Sequence, residues 1–397
     1  MALTLDAAKW RKKRGIKRLL TALRAEEGLT RYVGGAVRDD LLGLPVNDID
    51  LATRIPPLEV IERLEKAKIK AVPTGIDHGT VTAVSDGHPF EITTLRRDVS
   101  TDGRRATVAF TDDWKEDAAR RDFTINALSA DPVSGELFDY FGGLDDLEHH
   151  HIRFIGDPLQ RIAEDHLRIL RFFRFQARFD AGTPDQAALD ACSARANALM
   201  ALSRERIADE LLKLLGLPNP SRTVAIMLER RILTPVLPEI DGKRLGNLEA
   251  LIAAEREAQM KADALRRLAA LLPRDPTVAD DVAARLRLSN KARKRLGCVA
   301  EPEVGPSPRA LAYRIGVQCA ADRFLLSGQP GEAAAIAAWH TPRLPISGGV
   351  LIKRGLAEGP LVARTLREIE DRWVDAGFPG GDAFDRIVEG ALKSAAE

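Results

Sequence analysis

The stretch from Tyr32 to Leu51, YVGGAVRDDLLGLPVNDIDL, limits the fold of this chain more than any other segment. Its last residues alternate polar and apolar side chains, and alternate side chains of a strand point to the same face. Asp48 and Asp50 would therefore stand side by side, with the apolar residues turned into the core. Two carboxylates this close repel each other unless a cation lies between them, and Mg²⁺, which prefers oxygen ligands, is the usual partner. The pattern predicts a metal site at Asp48 and Asp50.

The front of the same stretch has the features of a phosphate site. Gly34 and Gly35 let the backbone approach a ligand closely, and residues 36–42 read as a short helix that begins there. Helix N-termini favour phosphate groups, and Arg38 adds a guanidinium to the first turn. Each feature alone is common in ordinary turns. Their occurrence together, in this order and at this spacing, indicates a nucleotide site more specifically than any one of them does.

The residues GGAVRDDLLGLPVNDIDL resemble the signature of the class II tRNA nucleotidyltransferase and poly(A) polymerase family, whose catalytic head is a small polymerase-β-like fold. The segment RRDFTINAL, residues 120–128, closely matches the second motif of this family, in which an arginine and the aspartate contact the sugar and phosphates of the nucleotide. The resemblance implies that the nucleotide-binding residues of this chain include Arg120, Arg121, Asp122 and Asn126.

A third segment, EDHLRILRFFRF, resembles the fourth motif of the family. We predict one continuous helix over residues 161–179, in which Asp165 and Arg168 are i,i+3 neighbours on one face and Arg171 follows on the next turn. The resemblance implies that Asp165 and Arg168 read the base of the incoming nucleotide. His166 stands where the family usually has proline. Without the resemblance the same residues would be a salt-bridge ladder within the helix, and this alternative stays open.

A predicted hairpin supplies a third acidic residue. Its two strands, residues 79–84 and 90–95, are joined by SDGHP, which has hairpin-turn chemistry. In the second strand Glu91 can stand over the same surface as Asp48 and Asp50. The family has an acidic residue at the matching place, so the resemblance implies that Glu91 lies at the catalytic metal site. A solvated glutamate is the alternative.

The remaining patterns predict how the chain is divided. The polar segment from Arg96 to Arg120 shows little periodicity and is predicted to be a loop, which corresponds to a flexible loop near the active site in the family. From about residue 150 the strand signals stop and helical patterns take over. We predict an α+β protein with a small polymerase-β-like nucleotidyltransferase head, built of a mixed sheet with helices and an N-terminal helix (residues 1–150), a helical nucleotide-reading neck (151–220), and a helical, RNA-binding body and tail (221–397).

Charge is balanced over the whole chain, with 59 lysines and arginines against 58 aspartates and glutamates. Contacts to RNA phosphates therefore require local clusters of cations. One such cluster, Arg11 to Arg18, follows Trp10 near the N-terminus. We predict a solvated amphipathic helix that packs on the head, and an RNA-binding arm is the alternative.

Cysteine content and hydropathy indicate the compartment. Cys192, Cys298 and Cys319 are too few and too scattered for a disulfide framework or a zinc site, which favours a reducing cytoplasm. The N-terminal segment has no apolar core of signal-peptide length, and no later apolar run reaches the length of a membrane span. We therefore expect a soluble, cytoplasmic protein without membrane contact, and nothing in the sequence indicates a protein partner.

The resemblance implies a template-independent nucleotidyltransferase that adds CMP and AMP to the 3′ end of tRNA, with CTP and ATP as substrates, Mg²⁺ as cofactor and pyrophosphate as product. A poly(A) polymerase shares the head, but VPTGIDHGT at residues 72–80 resembles the CCA-adding form. Enzymes that add only C or only A share these motifs. A non-catalytic RNA-binding protein would need broken carboxylates, and both aspartates are intact here.

Overall fold

The chain forms two compact units in the computed structural model, which describes residues 4, 5, 9–102, 105–305 and 307–396. The first unit comprises Met1–Glu210 and Glu229–Val236, and the second comprises Leu211–Leu228 and Leu237–Glu397. The finer division into head, neck, and body and tail stays a prediction.

The described part of the first unit contains a mixed sheet of seven strands and a separate hairpin. The strands are β1 (Thr30–Val33), β2 (Asp50–Thr53), β3 (Lys70–Gly75), β4 (Thr80–Ser85), β5 (His88–Thr94), the hairpin strands β6 (Arg96–Asp102) and β7 (Arg105–Phe110), β8 (Ser129–Ala130) and β9 (Leu137–Phe138). The sheet has the order β3-β4-β5-β2-β1-β8-β9. Strands β2 and β5 are parallel, whereas the other neighbours are antiparallel. The predicted mixed sheet and the β4–β5 hairpin are confirmed.

Short helices surround this sheet and continue after it. They are α1 (Ile16–Ala22), α2 (Gly35–Leu41), α3 (Pro57–Lys66), α4 (Trp114–Ala119), α5 (Gly143–Glu148), α6 (Pro158–Glu164), α7 (Arg168–Arg178), α8 (Gln186–Ala194) and α9 (Arg204–Leu215), with 3₁₀ turns at Lys9–Lys12, Ala25–Glu27, Ile76–His78, Thr124–Asn126 and Ala196–Ala201. Helix α3 has Pro57 at its first position, where the missing N–H is not needed.

An aromatic core fixes α7 against the segment before β8. Phe123 is fully buried, and its ring centre lies 4.8 Å from that of Phe154 and 5.4 Å from that of Phe175. Phe154 in turn stacks on Phe172 at 5.8 Å. Because large rings bury much area in specific geometries, this cluster holds the 120–128 segment and α7 in one arrangement.

The predicted loop from Arg96 to Arg120 is wrong. Residues 96–102 and 105–110 instead form the antiparallel strands β6 and β7, and α4 follows, with the Asp113 carboxylate accepting from the Lys115 backbone N–H at 2.7 Å. The sequence around Asp102 and Gly103 carries valine and threonine on both sides, and these β-branched residues favour strands even without strict alternation. Aspartate followed by glycine is also common in hairpin turns.

The second unit is helical throughout its described part. It contains the end of α9 and α10 (Ser221–Glu229), a 3₁₀ turn at Gly242–Arg244, α11 (Leu245–Glu257), α12 (Ala264–Leu271), α13 (Pro276–Arg285), α14 (Asn290–Ala300), α15 (Pro308–Ile315), α16 (Val317–Leu326), α17 (Pro330–Ala337), α18 (Gly348–Lys353), α19 (Pro360–Asp375) and α20 (Gly381–Ala396). One apolar core surrounds Phe324, and another surrounds Trp373. No helix in the described part of the chain is both long and apolar enough to cross a membrane.

A buried ion network links four helices of the second unit. Glu255 on α11 accepts hydrogen bonds from Arg266 at 2.8 Å and from Arg267 at 2.9 Å. Arg266 also donates to Asp322 on α16 at 2.9 Å, and Arg295 contacts the other oxygen of Asp322. Glu255, Arg266 and Arg267 are each at most 3% exposed, so their charges are stabilised by pairing with one another and not by hydration.

The three cysteines are predicted to be too few and too scattered for a disulfide framework, yet two of them form one disulfide. Cys298 on α14 and Cys319 on α16 form a disulfide, although 21 positions separate them in sequence. Their pairing depends on how α14 and α16 pack, which cysteine spacing alone does not reveal. Cys192 is a buried free thiol whose pKa is raised by burial.

Candidate active site

A cleft of about 460 Å³ in the first unit gathers most of the predicted site residues. Its lining is Gly34, Gly35, Arg38, Asp50, Arg120, Arg121, Asp122, Asn126, Asp165, Arg168, Arg171, Arg174, Phe175 and Arg178. All ten residues predicted from the sequence to bind the nucleotide are among them. Seven arginines and three aspartates line the cleft, and guanidinium groups in this number offer many hydrogen-bond donors to an anion such as a triphosphate.

Two of the predicted catalytic carboxylates lie on neighbouring parallel strands. Asp50 opens β2, and its register partner on β5 is Glu91. Asp48 differs from the prediction because β2 begins only at Asp50, so Asp48 lies in the irregular segment before the strand. The β1–β2 pairing ends with Tyr32 opposite the residue after Asp50. Beyond Tyr32, β1 continues toward the turn at Gly34, so the ladder stops short of Asp48.

The carboxylates lie close enough to interact. Burial, together with the charges of Glu91 and Asp48, raises the pKa of Asp50 to about 6, although the guanidinium of Arg121 opposes this shift. An all-oxygen cluster with excess negative charge fits a hard divalent cation. Among the described residues no three acidic, histidine or cysteine side chains are placed to hold a metal ion by themselves. Mg²⁺ commonly binds through one or two carboxylates together with substrate phosphates, and this donor set fits that mode.

Gly34 makes the close approach of strand and helix possible. It has φ 64°, a left-handed conformation that side chains rarely adopt, and a Cβ there would lie 2.9 Å from Nη1 of Arg121. Its N–H donates to the Leu128 carbonyl oxygen at 3.0 Å. Gly34 therefore brings the start of α2 against the 120–128 segment.

The predicted continuous helix over residues 161–179 is wrong. Helix α6 ends at Glu164, Asp165 is extended with φ −150° and ψ 107°, and α7 begins at Arg168. Asp165 and Arg168 therefore do not share a helix face, although both line the cleft. The salt-bridge ladder proposed as the alternative also fails for this pair, because Arg168 pairs with Glu164 at 2.6 Å.

Hydrogen bonds to backbone groups, one of them distant in sequence, stabilise the interruption between α6 and α7. Arg168 donates to the Arg120 carbonyl oxygen at 2.8 Å, and the Asp165 carboxylate accepts from the Leu167 N–H at 3.1 Å. A ring nitrogen of His166 lies 2.8 Å from the Ile162 carbonyl oxygen. The interruption falls at the place where the family usually has proline, so the substitution by histidine leaves it in place.

Each arginine of the cleft has an acidic partner that fixes its guanidinium. Arg171 lies 2.6 Å from Asp122, Arg174 lies 2.5 Å from Glu210, and Arg178 lies 2.8 Å from Asp39. The remaining pairs are Arg38 with Asp39, Arg120 and Arg121 with Asp117, and Arg168 with Glu164. Because the arginines are held before a ligand arrives, little side-chain entropy is lost on binding.

Asp122 is the most enclosed of the acidic residues in the lining. Burial would raise its pKa, but the charge of Arg171 and hydrogen bonds from the Asn126 side chain and the Phe123 N–H lower the pKa below its usual value. Asn126 also accepts from Arg38. The predicted residues Arg38, Asp122, Asn126 and Arg171 thus form one connected hydrogen-bonded group.

Sequence reasoning missed several residues of this cleft. On a continuous helix Arg174 would face away from Asp165, yet both line the cleft because Asp165 lies outside α7. Arg178 was recoverable, since it follows Arg171 by two helical turns. Arg206 on α9 lies 2.7 Å from the Asp165 carboxylate, and a contact across 41 residues has no local signal.

Known proteins match along most of the chain. The mitochondrial CCA tRNA nucleotidyltransferase 1 of Mus musculus is 33% identical over 387 residues, which cover 92% of this chain and 87% of the relative. The CCA-adding enzyme of Streptococcus gordonii is 33% identical over 365 residues, which cover 88% of this chain and 90% of the relative. This chain belongs to the CCA-adding enzyme family of tRNA nucleotidyltransferases.

Family models and a solved CCA-adding enzyme agree with this membership. The model described as "Poly A polymerase head domain" matches residues 30–153, and the one described as "Probable RNA and SrmB- binding site of polymerase A" matches residues 183–243. The crystal structure of the Bacillus stearothermophilus CCA-adding enzyme in complex with CTP has a TM-score of 0.76 and 26% identity, covering 97% of this chain and 99% of that one. The predicted family and α+β architecture are confirmed.

Proposed function

We propose that the protein adds CMP and AMP to the 3′ end of tRNA, using CTP and ATP and releasing pyrophosphate. The observation that carries this proposal is the arginine-rich cleft that all ten predicted nucleotide-binding residues line together with Asp50. Family membership supports the same activity. We further propose that residues 221–397 contact the tRNA and that the protein works in the cytoplasm without a protein partner.

The reaction joins the 3′ hydroxyl oxygen of the RNA to the α-phosphorus of the nucleotide and breaks the bond to pyrophosphate. Asp48 and Asp50 would hold Mg²⁺ together with the substrate phosphates, with Glu91 beside them, and Mg²⁺ supplies Lewis acidity when bound. The paired arginines Arg171 and Arg174 orient the triphosphate and neutralise its charge, and Gly34 allows the backbone to come close to it.

Asp165 and Arg168 are proposed to select the base of the incoming nucleotide. Cytosine and adenine both present an amino group beside a ring nitrogen that accepts a hydrogen bond, so a carboxylate and a guanidinium complement either base. Guanine and uracil present a carbonyl oxygen and a ring N–H there, which places oxygen against the carboxylate. The extended backbone at Asp165 lets its carboxylate reach the cleft from outside α7.

Replacing Asp165 with alanine tests this choice. Because a good bidentate contact discriminates by about 1 to 3 kcal/mol, we expect selection against UTP and GTP to weaken roughly ten- to hundredfold, more than the CTP rate falls. Single-turnover rates with each nucleotide measure both quantities. Asp190→Ala, which removes the exposed contacts of this carboxylate with Arg230 and Gln186, is the matched control. Intact selectivity with lowered thermal stability would make the Asp165–Arg206 pair purely structural.

The overall activity is tested with tRNA that lacks its last three nucleotides. The protein is incubated with CTP, with ATP and with both, and the products are sequenced. Addition of C, C and A in order supports the proposal. A long A tract would instead identify a poly(A) polymerase, and addition of only C or only A would identify an enzyme that completes part of the CCA end. No incorporation would favour the alternative of a non-catalytic RNA-binding protein.

A further inference from the structure

A second cavity of the first unit shares no lining residue with the catalytic cleft. This cavity, here called the N-terminal cleft, measures about 680 Å³. Its charged lining residues are Arg11, Lys12, Lys13, Arg14, Lys17 and Glu26. Five cations against one carboxylate make it a strongly basic cavity on a chain whose formal net charge is only +1.

The segment that carries these cations is tied to the sheet. The Trp10 indole N–H donates to Asp40 at 2.6 Å, and its ring lies 4.8 Å from that of Tyr32. Arg11 donates to the Pro132 carbonyl oxygen at 2.8 Å, and the Ser85 hydroxyl donates to the Gly15 carbonyl oxygen at 3.0 Å. The backbone that carries the cations is therefore attached to the sheet before any ligand binds.

Three of the cations are available to a ligand. Lys12, Arg14 and Lys17 are exposed, and none of them has an ion-pair partner among the residues that the structure describes. This distinguishes them from the arginines of the catalytic cleft, each of which has a carboxylate. Unpaired cations close together release condensed counterions when they meet a phosphate backbone, and this release strengthens binding to nucleic acid.

We propose that the N-terminal cleft is a second RNA-binding surface, which holds phosphates of the tRNA backbone. The inference rests on the proposed tRNA substrate. Strand β1 leads from Tyr32, which lines this cleft, to Gly34, which lines the catalytic cleft. Two extended residues span at most about 7 Å, so the linings of the two clefts come close to each other at this strand. Val133, 60% exposed, adds an apolar wall for ribose.

The test reverses the three available charges in the full-length protein, as Lys12→Glu, Arg14→Glu and Lys17→Glu together. The matched control reverses three exposed lysines of the same unit, Lys66, Lys68 and Lys70, and so changes the net charge equally. Fluorescence anisotropy with labelled tRNA over a range of KCl concentrations gives the affinity and its salt dependence. We expect the first variant to bind more weakly and its logarithmic salt slope to fall by about 2 to 3, while the control keeps its slope.

Equal slopes for the first variant and the wild type, or equal losses in both variants, would overturn the proposal. Lysine acetylation gives a second readout, because bound tRNA should protect Lys12 and Lys17 but not Lys66 and Lys70. Protection by CTP alone would identify a free-nucleotide site and reject the RNA surface. CMP incorporation at saturating tRNA should stay normal in the first variant. If the wild type adds no nucleotide yet these binding results hold, the proposed reaction fails and the RNA surface stands.

Discussion

Replacing Asp50 with asparagine is expected to lower the rate of nucleotide addition about a thousandfold. The carboxylate opens β2 beside Glu91, and metal ions bound at such clusters lower the barrier of phosphoryl-type transfer by several kcal/mol. Each step of about 1.4 kcal/mol is a factor of ten in rate, so losing the metal ligand gives an effect of this order. Single-turnover CMP addition at saturating CTP and Mg²⁺ measures it.

The same change should not destabilise the fold. Asparagine is isosteric with aspartate and neutral, and in the absence of metal the substitution removes a partly buried charge that Glu91 and Asp48 repel. We therefore expect an unchanged or higher thermal midpoint without metal. Asp86→Asn in the β4–β5 turn is the control, since it removes only an exposed pair with Arg18. Near-normal addition by the Asp50 variant would reject the proposed metal site.

Replacing Glu255 with glutamine is expected to destabilise the second unit by about 3 to 5 kcal/mol, the usual effect of removing one partner of a buried ion pair. Arg266 would keep Asp322, but Arg267 would lose its carboxylate and retain only carbonyl acceptors at Leu215 and Leu217. The midpoint of urea unfolding, followed by circular dichroism, reports the change.

The control for this prediction is an ion pair at the surface of the same unit. Asp280 and Arg293 are close together but exposed, and such pairs contribute little because water screens them. We expect Asp280→Asn to leave the urea midpoint where it is in the wild type. A Glu255 variant as stable as this control would show that packing, not charge pairing, holds α11 against α12.

The parts of the site that the sequence predicts well are those encoded locally. Gly34 and Arg38 lie on one turn, and Asp50 lies on a strand as the pattern predicts, although the strand begins only there. The face of β5 that carries Glu91 was also accessible, because Glu91 alternates with the buried residues Phe90 and Ile92, and the structure pairs it with Asp50. Local spacing carries this information even though the partners are distant in sequence.

The errors arise where contacts distant in sequence override local patterns. The apolar pattern of residues 161–179 favours one helix, but hydrogen bonds from Arg168 to the Arg120 carbonyl and from Arg206 to Asp165 stabilise two. Asp48 falls outside β2 because the β1–β2 ladder stops short of it. The pairing of Cys298 with Cys319 depends on the packing of α14 with α16, which cysteine spacing does not encode.

The break between α6 and α7 has a further consequence for the unfolded chain. A proline at a compatible position restricts the unfolded ensemble and so contributes about 0.4 to 1 kcal/mol to stability. Asp165 already has the extended conformation that a residue before proline adopts, yet His166 follows it. The unfolded chain therefore lacks the restriction that a proline would impose at this position. The extended backbone is stabilised on folding by the contacts of Asp165 with Arg206 and of His166 with Ile162. Local opening of these contacts would free the carboxylate that is proposed to read the base, without unfolding either helix.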